Sequence, residues 1–551
     1  MASTAALEDL RRGYRASGLH PGVRLGAALA AAAGRHPDDP VTFLSGHTEQ
    51  VTVGELFADA QRLAAVLRRD GLADGEVVGI QLANGRRAWT IYLAGLIAGA
   101  VLVPIVPTAG ARDAAFCLSD AGARRFFVAD RWRRTDYIAG LGPVRAARSL
   151  RSITVVGGDV PSDCVAYADL ERRMSGEPGR AAAGPGAGDG SADCFICYTS
   201  GSTARPKGAR HTHDTFHAEL IQARARWPDR QVVFTARPLG TMAGLLAVLR
   251  AMYLPAETYV MDRWDTPAAL EVIRARNVTY LPTVPFMLTT VLDLLEREGS
   301  RLPSLREVSC GGSSVPPSLI ERADELGIRC YRQFGSTEHP TVTSGRPGED
   351  LRDRATTDGR LLPGASLRVI DEAGRDVGPG DEGEIVTGGP DRFAGYRSAA
   401  ANEAAFTADG WLRSGDLGRL TGSGHLVVTG RVKDLIIRAG VNLAPAAIEE
   451  TLARLHGVAE VAVTGVADRE YGEKAAAFVV LRPGAELTMD DVREHFERSG
   501  VARQKTPEYL VVKDAMPRTG SGKIAKRQLR EELETELHAG EAAPAPRREG
   551  G

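Results

Sequence analysis

The apolar run Cys194-Phe195-Ile196-Cys197-Tyr198 passes directly into Thr199-Ser200-Gly201-Ser202-Thr203-Ala204-Arg205-Pro206-Lys207-Gly208. The run reads as a buried strand and the rest as the loop that follows it. Glycines let backbone N–H groups converge on an anion, hydroxyls add donors, and a lysine adds mobile positive charge. Thr199, Ser200, Gly201, Ser202, Thr203 and Lys207 are therefore candidate phosphate ligands. The loop is not of the Walker A type, in which the lysine follows glycine and precedes Ser or Thr. Here Lys207 follows Pro206 and precedes Gly208.

Around that loop, residues 25 to 430 alternate helical and strand-like runs. Leu56 to Arg69 is amphipathic, Val77 to Leu82 reads as a strand, Arg87 to Ala98 as a helix and Val101 to Pro104 as a strand. Such alternation implies an α/β architecture. From 366 to 430 short strands with glycine-rich turns predict a β-rich part, and 435 to 530 predict a small α+β segment. Gly176 to Gly190 is almost all Ala, Gly, Pro and acidic residues and cannot bury a core. The tail from Ala539 to Gly551 is expected to be disordered.

The 551 residues carry a formal charge of -2, which argues against a protein that lives on nucleic acid or an anionic membrane. The N-terminus has no basic segment followed by an apolar one, and Ala88 to Pro104 is too short and polar for a membrane span. A reducing cytoplasm is the expected location. Six cysteines form no disulfide framework. Cys194 and Cys197, three apart on a strand, point to opposite faces and read as buried structural thiols.

Basic residues are almost all arginine. Of 68, only Lys207, Lys433, Lys474, Lys505, Lys513, Lys523 and Lys526 are lysines, six of them after residue 430. Where arginine supplies generic surface charge, a retained lysine points to a use for its compact ammonium.

Four further motifs follow the phosphate loop. Gln333-Phe334-Gly335-Ser336-Thr337-Glu338 joins an aromatic, a tight turn, two hydroxyls and a carboxylate suited to Mg²⁺ beside phosphates. Gly410-Trp411-Leu412-Arg413-Ser414-Gly415-Asp416 places an aspartate to accept from ribose hydroxyls. Gly430-Arg431-Val432-Lys433-Asp434 and Arg518-Thr519-Gly520-Ser521-Gly522-Lys523-Ile524 complete the series.

In this order and spacing the motifs resemble the adenylate-forming superfamily, of the AMP-dependent acyl-CoA synthetase type, over about residues 30 to 530. The resemblance implies an N-terminal adenylation domain (1–430) of layered α/β and distorted β-barrel parts, a hinge (431–434), a small mobile α+β domain (435–538) and a tail (539–551). It implies ATP and Mg²⁺ as cofactors and a two-step reaction. A carboxylic acid (cyclic, aryl or medium-chain) is adenylated with loss of pyrophosphate, and the acyl group then passes to a thiol, that of CoA or of a carrier-protein phosphopantetheine. Catalytic roles fall to Lys523, Thr337, Glu338 and Arg431, with Glu338 as metal ligand. The nucleotide falls to Thr199 through Thr203, Lys207, Gly312, Ser313, Ser314, Gln333, Phe334, Gly335, Ser336 and Asp416. Lys433 falls at the hinge, Gly440 in the thiol tunnel, and His213, Thr241, Met242, Val284 and His339 at the substrate pocket.

The chemistry needs no general base, because the attacking carboxylate is already ionised. Positioning and cationic neutralisation are what a protein can add when two anions meet. The pattern departs from the family in three places. Ala204 replaces a usual glycine, Gly240-Thr241 replaces an aromatic-His pair, and Ser314 replaces a usual Pro or other small residue. The second departure predicts a widened pocket wall. No aspartate stands ready to grip an α-amino group. Two alternatives stay open at this stage, a free-standing enzyme that loads a carrier protein and an enzyme that activates nitrite for capture by an aryl amine.

Overall fold

A computed structural model of the chain describes residues 12–177, 189–199, 206–438, 441–468, 471–499, 501–519 and 522–541. Ser200 to Thr203, Ala204 and Gly440 lie outside these residues, as does most of the low-complexity stretch.

The first half of the chain builds a sheet around β1 (Val77–Gln81), flanked in parallel by β2 (Val101–Pro104) and β3 (Arg125–Ala129). β4 (Asp193–Thr199) adds parallel to β2 where Phe195 meets Leu102, and β5 (Lys207–Thr212) returns antiparallel on β4. Helix α1 (Arg86–Ala98) is apolar around most of its circumference, and Trp89, Tyr92 and Leu93 on it are fully enclosed. Each such side chain contributes about 2 kcal/mol of burial. The Trp89 indole donates to Asn84 Oδ1 at 3.2 Å and meets the Phe43 ring edge-on at 5.2 Å. Cys194 and Cys197 are both buried free thiols, and burial pushes both well above the usual thiol range.

A second sheet carries the parallel series β7–β6–β8–β9–β10, formed by β6 (Gln231–Thr235), β7 (Ala256–Met261), β8 (Tyr280–Thr283), β9 (Glu307–Cys310) and β10 (Cys330–Phe334). Helices α2 (His213–Arg226), α3 (Met242–Tyr253) and α4 (Pro285–Glu298) follow β5, β6 and β8. Because the strands are parallel, the segments after β6, β8, β9 and β10 all leave at one edge. Ligands of open parallel sheets bind outside the carboxyl ends of the strands.

An antiparallel sheet contains β11 (Gly383–Gly388), β12 (Leu412–Leu420) and β13 (Leu426–Arg431). After a 3₁₀ turn over Val432–Asp434 comes a small domain. Its long hairpin, β14 (Val458–Asp468) with β15 (Gly472–Leu481), is covered by α5 (Lys526–Glu541). α5 carries regular backbone to Glu541, into the segment expected to be disordered from Ala539. Several side chains tie the small domain to the large one. The Arg518 guanidinium lies 4.1 Å from the Phe286 ring centroid, Arg482 pairs with Asp293 at 3.2 Å and Arg454 with Glu321 at 3.9 Å. Among the described residues no helix is long and apolar enough to cross a membrane.

Candidate active site

The ends of the phosphate loop are pinned by the ladder between β4 and β5, in which Thr199 faces Lys207. The Lys207 ammonium lies 5.2 Å from the ring centroid of Tyr396, and the Tyr396 hydroxyl donates to Glu338 Oε1 at 2.5 Å. Tyr396 is held beside the loop because its short strand (Gly395–Tyr396) pairs with β5 at Ala209. Burial first, and then the Glu338 charge, push the phenol above its usual range, so it remains a donor.

Glu338 stands in the turn after β10. Ser336 Oγ accepts from the backbone amides of Glu338 and His339 at 3.1 and 3.2 Å, and Ser336 N donates to His339 O at 2.8 Å. A side chain at Gly335 would meet the Pro340 carbonyl oxygen at 2.0 Å, so the turn closes only around glycine there. A His211 ring nitrogen sits 2.8 Å from the Thr337 carbonyl, and Phe393 N donates to the Glu338 carbonyl at 2.8 Å. The Ser336 oxygen is thus spent on the turn's own backbone, which sets Thr337 and Glu338 in place.

At the neighbouring exits, Gly312, Ser313 and Ser314 form an exposed lip after β9. Val284 caps the start of α4 and lies 3.7 Å from the space a Gly312 side chain would take. Gln333 and Phe334 end β10, each half-buried.

Asp416 on β12 faces Arg431 on β13 across the ladder, and Arg431 Nε donates to Asp416 Oδ1 at 2.8 Å. Asp416 is buried; burial raises its carboxyl above the usual range, against the pull of Arg431 and then Lys523. Asp416, in turn, is the main cause that holds Arg431 above its ordinary value. Lys523 comes from the other domain. Its loop is closed by Thr519 N to the Lys523 carbonyl at 2.8 Å and by Gly522 N to the Thr519 carbonyl at 2.9 Å. Lys523 is exposed at its surface, but partial desolvation lowers the ammonium; Arg431 and, more weakly, Arg237 add to that, and Asp416 and Glu338 oppose it. Lys523, Arg431, Asp416, Glu338 and Arg237 therefore share one field, although the lysine is nearly 200 residues from Glu338.

Other expected positions lie elsewhere. His213 is 1% exposed at the start of α2, where Nδ1 accepts from Leu25 N at 3.2 Å. Its ring is enclosed against the start of the helix Leu25–Ala33. His339 is also 1% exposed, its ring nitrogens 3.0 Å from Thr387 Oγ1 and 3.2 Å from Asp391 Oδ1, so it braces the Glu338 turn from behind. Thr241 caps α3, accepting from Gly244 N at 3.1 Å and donating to the Pro238 carbonyl at 2.8 Å; Met242, next to it, is half-buried. Gly240 does not widen a wall. At φ +92°, a side chain there would strike the Ile105–Val106 backbone at 2.3 to 2.5 Å. Lys433 is exposed in the turn between the domains. Tyr396 and Arg237 escape sequence reading, since neither belongs to a glycine-rich motif.

A nucleotide edge of this shape, with a lysine reaching in from a second domain, has counterparts. Residues 29–397 match the model of the AMP-binding enzyme family, and residues 447–523 match its C-terminal domain. The chain belongs to the AMP-binding enzyme family. It is an AMP-forming ligase of the adenylate-forming superfamily. This ligase is 30% identical to the medium-chain fatty-acid–CoA ligase of Escherichia coli over 96% of its own length and 93% of that protein's. It is 32% identical to a salicylyl-CoA synthase / salicylate adenylyltransferase of Streptomyces sp., over 94% and 95%. The ATP-bound MatB structure from Rhodopseudomonas palustris superposes with a TM-score of 0.81 at 27% identity, over 93% of this chain and 99% of that one.

Proposed function

We propose that this ligase uses ATP to activate a carboxylic acid and passes the acyl group to the thiol of CoA. A carboxylate oxygen attacks the α-phosphorus of ATP, and the bond to pyrophosphate breaks. The CoA sulfur then attacks the acyl carbon, AMP leaves, and the thiol proton goes to solvent. The observation that carries this reading is the Asp416–Arg431 pair, whose charges, with that of Glu338 after β10, bear on Lys523 of the small domain.

Each residue then has a task. Lys207 and the loop from Thr199 take the outer phosphates, Asp416 takes the ribose hydroxyls through the oxygen that Arg431 leaves free, and Phe334 takes the purine face. Thr337 and Arg431 take the α-phosphate. Lys523 bridges it to the incoming carboxylate, stabilising charge as it gathers in the transition state. Among the described residues no cluster of three or more His, Cys, Asp or Glu exists to hold a metal unaided. A single carboxylate beside phosphates fits Mg²⁺, which takes one or two protein oxygens and completes its shell from the nucleotide and water. Glu338 is that carboxylate; the ion neutralises phosphate charge when bound. Lys433 lies in the segment about which the small domain would turn between the two steps.

The test is pyrophosphate release across a panel of acids, then AMP release on adding CoA. Acid-dependent pyrophosphate release followed by acyl-CoA is expected. Acid-dependent release with no CoA-dependent AMP, but with AMP on adding a phosphopantetheinylated carrier, would move the acceptor to a carrier protein.

A further inference from the structure

Arg237 follows β6 directly, at the same edge of the sheet as the nucleotide motifs. Its backbone is fixed on both sides: its amide donates to Thr235 Oγ1 at 3.3 Å and its carbonyl accepts from Asn84 Nδ2 at 2.9 Å. The guanidinium reaches across to the end of β8, where Nη2 donates to the Thr283 carbonyl at 2.5 Å. Its Nε is buried with no partner, while the residue as a whole keeps part of its surface accessible.

Other enclosed arginines in this half of the molecule have a carboxylate. Arg332 holds Asp358 at 2.8 and 3.0 Å, Arg354 holds Asp324 at 2.6 Å, Arg226 holds Glu307 at 3.1 Å, and Arg250 pairs with Glu219. Arg237 makes no ion pair among the described residues. The groups that bear on it are Cys310 and Tyr280, neutral at physiological pH, and the like charge of Arg250; burial pulls it down from its ordinary value. An enclosed cation with one carbonyl for company is costly unless something else brings the anion.

We propose that Arg237 holds a second carboxylate of the substrate, the one that is not adenylated, and so selects diacids over monoacids. The assignment rests on the acid-activating reading above. Lys523 already serves the reacting carboxylate. That group also loses its charge in the first step, which would leave a guanidinium paired to it alone again. A distal carboxylate stays ionised through both half-reactions, and its two oxygens match the planar guanidinium fork.

The experiment compares straight-chain monoacids with diacids of equal length in the pyrophosphate-release assay, for the wild type, Arg237→Met and Arg237→Lys, with nitrite as a further arm. The wild type is expected to prefer the diacid by about 100-fold in kcat/KM. Arg237→Met should lose that preference, mainly through KM for the diacid, so that diacid and monoacid react with similar kcat/KM. Arg237→Lys should recover part of the preference. Thermal melts run alongside. A fall in melting temperature with both acids slowed equally means a structural arginine and overturns the assignment. Wild-type preference for monoacids, or a diacid preference unchanged in Arg237→Met, overturns it too and leaves the ligase reading intact. Release with nitrite and with no acid at all rejects both.

Discussion

Tyr396 links the two ends of the phosphate site: its hydroxyl donates to Glu338 Oε1 at 2.5 Å while its ring lies 5.2 Å from the Lys207 ammonium. The donor takes one carboxylate oxygen of Glu338, and the other makes no hydrogen bond among the described residues. A hydrogen bond to a charged group is worth about 2 kcal/mol. Tyr396→Phe keeps the ring under Lys207 and removes only the donor. It should raise the Mg²⁺ concentration needed for half-maximal pyrophosphate release and cut kcat/KM for ATP by about tenfold. An unchanged Mg²⁺ titration would mean that the hydroxyl merely packs.

Lys523 comes from the second domain, and the proposed role confines its work to the first half-reaction. Lys523→Ala should slow acid-dependent pyrophosphate release by about a thousandfold. Thioester formation from supplied acyl adenylate and CoA should persist. Equal loss of both half-reactions would refute the assigned role.

The lysine's ammonium is held below its ordinary value by partial desolvation and then by Arg431, with Asp416 and Glu338 opposing. Adenylation needs the charged lysine, so the rate falls as pH rises through that lowered value. Replacing Arg431 with Met removes a repelling charge and frees Asp416 to attract the ammonium. Both changes raise the lysine's pKa. The alkaline limb of the pH–rate profile for pyrophosphate release should therefore move to higher pH, even as the absolute rate drops. A limb that stays put or moves down would show that another group governs it.

The α/β architecture was legible because long stretches keep a single period. The apolar positions of Arg86–Ala98 and the strand at Val101–Pro104 appear where patterning puts them, to within a residue. Motif residues were legible where glycine and hydroxyl chemistry cluster along the chain. Arg237 and Tyr396 were not, because strand pairing brings them to the site from positions with no local signal. His213 and His339 misled for the converse reason. Proximity to a motif in sequence says nothing of which face a ring takes: His213 turns inward at the start of α2, and His339 turns inward onto Thr387 and Asp391. Gly240 looked like an emptied wall, but a backbone crossing at Ile105–Val106 demands it.

His213 tests that lesson by stability rather than activity. It and His211 are each 1% exposed, and burial pulls both imidazoles down to about 4. Each is neutral in the folded protein and titrates near 6.5 when unfolded. The unfolded chain therefore binds more protons between those values. The stability each contributes is complete above about 6.5 and drains away as pH falls towards 4, by about 3 kcal/mol per ring. Urea unfolding of the wild type should show this loss between pH 7 and pH 4.5. His213→Asn keeps an acceptor at the δ position for Leu25 N and cannot take a proton, so its stability should depend less steeply on pH, while KM for the acid stays within about threefold. A KM shift of tenfold or more with the wild-type pH dependence of stability would return His213 to the substrate pocket.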